Sequence, residues 1–140
     1  MRFKEYEIPE DVKYHNEHTW IRLEGSDTVV VGWTDFAQKL AGEMTSVMIP
    51  DEGDSLTMDK FMGSVETGKW VGKLFGPVTG EIVEVNHDVM DDPTVVNNDP
   101  YGEGWLMKVK ISDSGQLDRL LDATAYVKVM EAKMRELGMD

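Results

Sequence analysis

The residues best placed to do chemistry lie in Glu66-Thr67-Gly68-Lys69-Trp70-Val71-Gly72-Lys73. Ser64-Val65-Glu66 on one side and a Val/Leu/Phe run on the other read as two short strands, so Lys69 falls at a Gly-flanked turn, the tip of a predicted β-hairpin. An amine at such a tip is open to a modifying enzyme from every side. Acylation would remove its charge and leave an amide on a flexible four-carbon stem, so that an attached group swings to places the folded body does not reach. A turn lysine taken alone is more commonly a solvated charge, and the rest of the chain has to support any stronger reading.

Other chemistries find little here. The 140 residues include no Cys, which removes disulfides, thiolate metal sites and Cys nucleophiles, so any redox chemistry must be borrowed. His15, Glu17 and His18 crowd one strand start, where three residues seldom converge on one ion, and His87 is the only other histidine. Asp88, Asp91 and Asp92 lack the alternating acidic loop and terminal Glu of a calcium site and read as a solvated turn. With no Gly-rich phosphate loop, Ser elbow or His-centred triad, intrinsic catalysis is not expected. The 27 acidic and 14 basic residues give a net charge of -13, which opposes nucleic acid and anionic lipid and favours basic partners. The start lacks a signal peptide's apolar stretch, and no apolar run approaches the roughly 20 residues of a bilayer span, so a cytoplasmic setting is expected.

The elements that must position Lys69 are mainly strands. Residues 18–23, 28–33 and 45–49 are rich in Val, Ile, Thr and Trp and are separated by polar turns. Between the last two, Thr34 is suited to cap a short helix with Phe36, Ala37 and Leu40 on one side and Gly42 at its end. Short apolar strands then alternate with Glu52-Gly53-Asp54, Gly76-Pro77, Thr79-Gly80 and Asp91-Asp92-Pro93 turns, the grammar of a compact sandwich or flattened barrel. Past residue 112 the period becomes helical. Ser112, Asp113 or Ser114 caps a helix bearing Leu117, Leu120 and Leu121. A second, capped by Thr124, carries Val127, Met130, Met134 and Leu137 on one face. Gly138-Met139-Asp140 is expected to fray. Met44, Met48, Met58 and Met62 are expected in the core. The length suits one domain, residues 1–140, with a C-terminal helical extension over about 114–137.

Longer motifs then supply what the turn lacks. Glu66-x-x-Lys69, followed by Pro77-Val78-Thr79-Gly80-Glu81-Ile82-Val83-Glu84-Val85-Asn86, resembles the lipoyl-lysine region of the glycine cleavage system H protein family. Lys13-Tyr14, His18-x-Trp20, Gly32-x-Thr34-x-x-Ala37-Gln38 and Leu40-x-Gly42 extend the resemblance upstream; Pro100-Tyr101-Gly102-x-Gly104-Trp105-Leu106 and Leu120-Leu121-Asp122-Ala123-x-Ala125-Tyr126 extend it downstream. The resemblance implies a mainly β, lipoyl-domain-like hammerhead or flattened β-barrel sandwich with a short internal helix and C-terminal helices. It also implies a non-catalytic carrier with lipoate on Lys69. A lipoate ligase or lipoyltransferase would attach it, reading the turn of Glu66, Gly68 and Trp70. Biotin is the weaker alternative, since Gly68 and Trp70 stand where biotinyl domains resemble Met-Lys-Met.

Near the lysine the chain departs from that family. Thr19 and Lys73 stand where the family pattern has acidic residues, and both are candidate neighbours of the arm. An aminomethyl-lipoate carries an ammonium, which Thr19 would not offset and Lys73 would repel. The Gly-Lys-Trp-Val-Gly setting is more similar to a related group of lipoate-binding proteins that serve a heterodisulfide-reductase-like complex. A sulfur-bound cargo in oxidative sulfur metabolism is therefore the first expectation. Glycine cleavage proper is the alternative, with its P protein (glycine decarboxylase), T protein (aminomethyltransferase) and L protein (dihydrolipoamide dehydrogenase) as partners. An unmodified scaffold is the third reading. A carrier that must leave each partner in turn is expected to be a monomer.

Overall fold

The computed structural model describes residues 1–139. In chain order the strands begin with β1 (Arg2–Phe3), β2 (Tyr6–Glu7), β3 (Lys13–Tyr14), β4 (Thr19–Leu23) and β5 (Thr28–Trp33). Helix α1 (Asp35–Ala41) leads to β6 (Met44–Met48), β7 (Ser55–Leu56), β8 (Phe61–Thr67), β9 (Val71–Phe75) and β10 (Gly80–Val85). The short helices α2 (Asp88–Asp91) and α3 (Thr94–Asn98) precede β11 (Met107–Ile111), a 3-10 helix (Ser114–Arg119) and α4 (Ala123–Glu136).

A six-stranded antiparallel sheet in the order β3-β4-β5-β11-β10-β7 faces a three-stranded antiparallel sheet, β6-β8-β9, and β1-β2 form a separate ribbon. Strand β5 shows how one sequence serves two cores. Its side chains alternate between faces, so Val29 and Val31 enter the core between the two sheets while Val30 enters a second core under α1 and α4. A strand buried on both faces needs a continuous apolar run, which is why Val29-Val30-Val31 lacks polar alternation. The first core collects Met44, Val65, Leu74, Ile82 and Met107; the second collects Tyr14, Trp20, Phe36, Tyr126 and Met130. Gly32 lies where the strand meets the Trp20 indole, and a Cβ there would run into the ring.

The expected helix after β5 is α1, with Thr34 Oγ1 accepting from the Ala37 N–H at 3.2 Å and Gly42 ending it at φ 95°. The C-terminal expectations need correction. Residues 114–119 form a 3-10 helix rather than an α-helix, with Asp113 accepting from the Gly115 N–H. Leu121 then pairs with Tyr14 through two backbone bonds of 2.8 Å, which holds the chain extended up to the next helix. Asp122, not Thr124, caps α4, accepting from the Ala125 N–H at 2.8 Å. The helix does not fray over Gly138 and Met139. Gly138 takes φ 70° and the Met139 N–H donates to the Met134 carbonyl, a Schellman closure; Asp140 lies outside the described residues. Met44, Met58 and Met62 are buried as expected, whereas Met48 is 63% exposed because it points outward from β6. Helices α2 and α3 replace what reads in sequence as an acidic turn; four or five residues are too few to show a helical period. Among the described residues no helix is long and apolar enough to cross a membrane.

Candidate functional site

Strands β8 and β9 pair from Phe61↔Phe75 to Glu66↔Val71, so the hairpin tip is Thr67 to Trp70. The Thr67 N–H donates to the Trp70 carbonyl at 2.8 Å, and the Lys69 N–H donates to Thr67 Oγ1 at 3.3 Å. Two residues, Gly68 and Lys69, thus stand outside the ladder, and both are exposed. Neither takes positive φ, and a Cβ built on Gly68 meets nothing within 4 Å. Glycine is therefore not demanded by the backbone at Gly68. Glu66 is exposed on β8 one step back from the tip, and its carbonyl accepts from Thr45 Oγ1.

Below the tip lies a cleft of about 670 Å³, within the ordinary range of ligand sites, roughly 300–1,000 Å³. One wall is β9, the outer strand of the smaller sheet; α1, the end of α4 and the Glu17-His18 turn make the others. The walls are apolar through Trp33, Leu40, Trp70 and Phe75, and the charged side chains are Lys69, Lys73, Lys133 and Glu17. Trp70, although 46% exposed, stacks on the buried Trp33 with ring centroids 6.1 Å apart and planes 12° from parallel. It also lies across Gly72, where a Cβ would collide with the indole. The tryptophan beside Lys69 thus folds back as part of the cleft wall.

The turn on the far wall is held from several directions. His18 has φ 77°, uncommon for a residue with a Cβ. Its N–H donates to the His15 carbonyl and its carbonyl accepts from the Thr34 N–H, each at 3.0 Å. Its Nδ1 meets the Tyr126 hydroxyl at 2.7 Å, which in turn meets Thr34 Oγ1 at 2.8 Å. Burial, with smaller electrostatic contributions from Lys133 and His15, lowers the His18 pKa to about 4, so the imidazole is neutral at pH 7. His15 faces elsewhere, with Nδ1 accepting from the Glu17 N–H at 3.0 Å, which leaves Nε2 to donate to Asp59 at 2.6 Å.

Thr19 is fully buried behind the cleft wall, where its hydroxyl donates to the Phe75 carbonyl at 3.1 Å and ties β4 to the end of β9. Lys73 is exposed on the cleft side of β9 with its ammonium 5.9 Å from the centroid of the Phe61 ring. Two cleft residues escape sequence reasoning. Glu17 reads only as part of a weak metal cluster, and Lys133 carries no signal of its own in the sequence; each reaches the cleft because α4 and the β3–β4 turn pack beside a hairpin far away in sequence. An exposed amine over an apolar groove can carry an acyl group whose apolar end rests in the groove, and the fixed charges there would act on whatever that end carries.

Residues 12–133 match the family model described as glycine cleavage H-protein. The chain is 49% identical over 125 residues to a glycine cleavage system H protein of Bacteroides fragilis, covering 89% of this chain and 98% of that one. It is 43% identical over 124 residues to a protein of the same name from Carboxydothermus hydrogenoformans, covering 89% and 95%. Its fold is similar to the crystal structure of a glycine cleavage system H protein from Mycobacterium marinum, with a TM-score of 0.79 and 35% identity over 86% of this chain and 97% of the other.

Proposed function

Because the chain belongs to the glycine cleavage H-protein family, whose members are non-catalytic carriers with lipoate bound covalently to a lysine, we propose that Lys69 is the attachment site. The observation that carries this is its position: of the two residues that stand clear of the hairpin ladder, Lys69 is the one that bears an amine and lines the cleft. Glu66, Gly68 and Trp70 make up the turn that a lipoate ligase or lipoyltransferase would read. The bound lipoate would supply a dithiolane whose sulfurs take up and release cargo between partner enzymes. The protein's part is to hold the attachment point still through the Thr67–Trp70 bond, to offer Trp33, Trp70, Leu40 and Phe75 as a dry wall, and to fix the charge around it. Residues 1–140 read as one carrier unit, since the end of α4 is itself a wall of the cleft.

The relatives described above bear the glycine cleavage name, which favours glycine cleavage over the sulfur cargo that leads in the sequence reading. The partners would then be the P, T and L proteins. Glu17 supports this reading from the structure. It is the one carboxylate on the cleft wall among the described residues, and it can face the ammonium that Thr19 does not address. Lys73 and Lys133 favour the second reading, a sulfur species passed to a heterodisulfide-reductase-like complex, because they oppose a cationic cargo.

Intact mass and peptide mapping of the protein coexpressed with its own ligase test the site. One lipoyl amide on the Lys69 peptide, absent in Lys69→Arg, is the expected result; an unmodified Lys69 in cells that make lipoate removes the proposal. Incubation of the lipoylated protein with glycine and purified glycine decarboxylase then separates the two cargoes. A mass increase retained on the arm supports glycine cleavage, and its absence with an active decarboxylase supports the sulfur carrier.

A further inference from the structure

The charge along the cleft runs against the charge of the molecule. Among the described residues, three of the chain's 14 basic side chains line the cleft, Lys69, Lys73 and Lys133, against one of its 27 acidic ones, Glu17. Acylation removes the charge of Lys69, which leaves Lys73, Lys133 and Glu17 as the charged side chains of the lining. His18, the only other titratable group on the wall among the described residues, is neutral at pH 7. Lys133 shares its charge with Glu136 at 3.4 Å, whereas Lys73 makes no ion pair among the described residues. The two lysines come from different elements, β9 and α4, and so line the groove from two sides.

We propose that this cleft is a seat for anionic sulfur, in which Lys73 and Lys133 hold the reduced arm of Lys69 as its thiolate against the apolar wall. The inference rests on lipoylation of Lys69 and concerns the reduced arm, whichever cargo that arm has released. The physical case is a contest of ranges. The net charge of -13 acts over the whole surface and disfavours a thiolate, but it is screened beyond about 8 Å at physiological salt, whereas cations lining the same groove act at short range. Reduction of the dithiolane takes two electrons and two protons. With a water-soluble phosphine as reductant, the S–S bond breaks, the phosphine leaves as its oxide with oxygen from water, and two thiols form. Thiolate formation then passes one thiol proton to water.

The absence of Cys makes the arm's two thiols the only ones in the molecule, so alkylation by iodoacetamide reads them alone. The lipoylated protein, with the modification located on Lys69 by mass, is reduced and its alkylation rate followed against pH, folded and in urea. The expected midpoint for the folded protein lies about 0.5 to 1 pH unit below that in urea, a shift sized for partly exposed cations. Lys73→Glu should cancel most of that difference, and Lys133→Glu a smaller part. Equal midpoints folded and unfolded, or a folded midpoint that Lys73→Glu leaves in place, overturn the inference while Lys69 stands as the carrier site. An unmodified Lys69 overturns the underlying reading and this one with it.

Discussion

Trp70 and Gly72 act as a pair, since the indole occupies the space that any Cβ on Gly72 would need. Gly72→Ala is expected to lift Trp70 from Trp33 rather than to unfold the sheet, because the colliding atoms belong to the free end of a half-exposed ring. The lost stack is worth about 0.5–1.5 kcal/mol, and a red shift of tryptophan emission with a small fall in urea midpoint would record it. An unchanged spectrum would mean that Trp70 does not rest on Trp33 in solution. His18 supports a prediction about pH. Its folded pKa of about 4 lies below the ordinary 6.5, so the unfolded chain takes up a proton first as pH falls. The stability that depends on neutral His18 is therefore complete above about pH 6.5 and is lost progressively as pH drops toward 4. At pH 5 the loss on this account is about 2 kcal/mol. Urea midpoints at pH 7 and pH 5 should differ more in the wild type than in His18→Gln, and equal differences would show that the histidine is not held neutral. The hairpin that carries Lys69 was legible because it is local in sequence, whereas the reading of the lysine itself rested on the longer motifs. Glu17 and Lys133 were not, because nothing in their own neighbourhoods records the hairpin they face.

Among the elements, α4 shows how tertiary structure chooses between two equally good sequence signals. Asp122 and Thr124 are both capable caps. The two backbone bonds between Leu121 and Tyr14 keep Leu121 extended, and the first residue free to cap is then Asp122. Asp122→Ala should cost about 1 kcal/mol and Thr124→Ala only a few tenths, measured by urea denaturation. The reverse order would return the cap to Thr124. Strand β5 makes a sharper prediction. Gly32→Ala drives a methyl into the fully buried Trp20, whose Nε1 is already held by the Trp33 and Pro100 carbonyls at 3.1 and 3.2 Å. Overpacking against an immobile ring should cost about 3 kcal/mol or prevent folding. β5 and α1 were readable from their own residues, through an apolar run and a Thr34-to-Gly42 frame. The 3-10 helix was not, because Leu117, Leu120 and Leu121 satisfy an α-helical spacing that the pairing of Leu121 with β3 overrides.

The whole molecule is an acidic body with a basic groove at one hairpin. Its -13 charge should steer it toward basic partner surfaces, so association with the ligase or a partner enzyme should slow roughly tenfold or more between low and high salt. Stopped-flow association at several ionic strengths would show it, and a salt-independent rate would mean that charge does not guide the encounter. The mixed β and helical character was legible in the sequence, whereas the order β3-β4-β5-β11-β10-β7 was not. β5 pairs with β11 across most of the chain, and no local pattern encodes such a pairing. The tight tip at Thr67 to Trp70 has a last consequence. A group tethered at the rim of its own groove meets that groove at an effective concentration on the order of millimolar. The groove thus needs only about millimolar intrinsic affinity to be half filled, and a partner that binds the same end with about micromolar affinity draws it out once its concentration is well above micromolar. An open cleft suits such an intramolecular equilibrium, because a tighter one would hold a tethered group away from any second binding site.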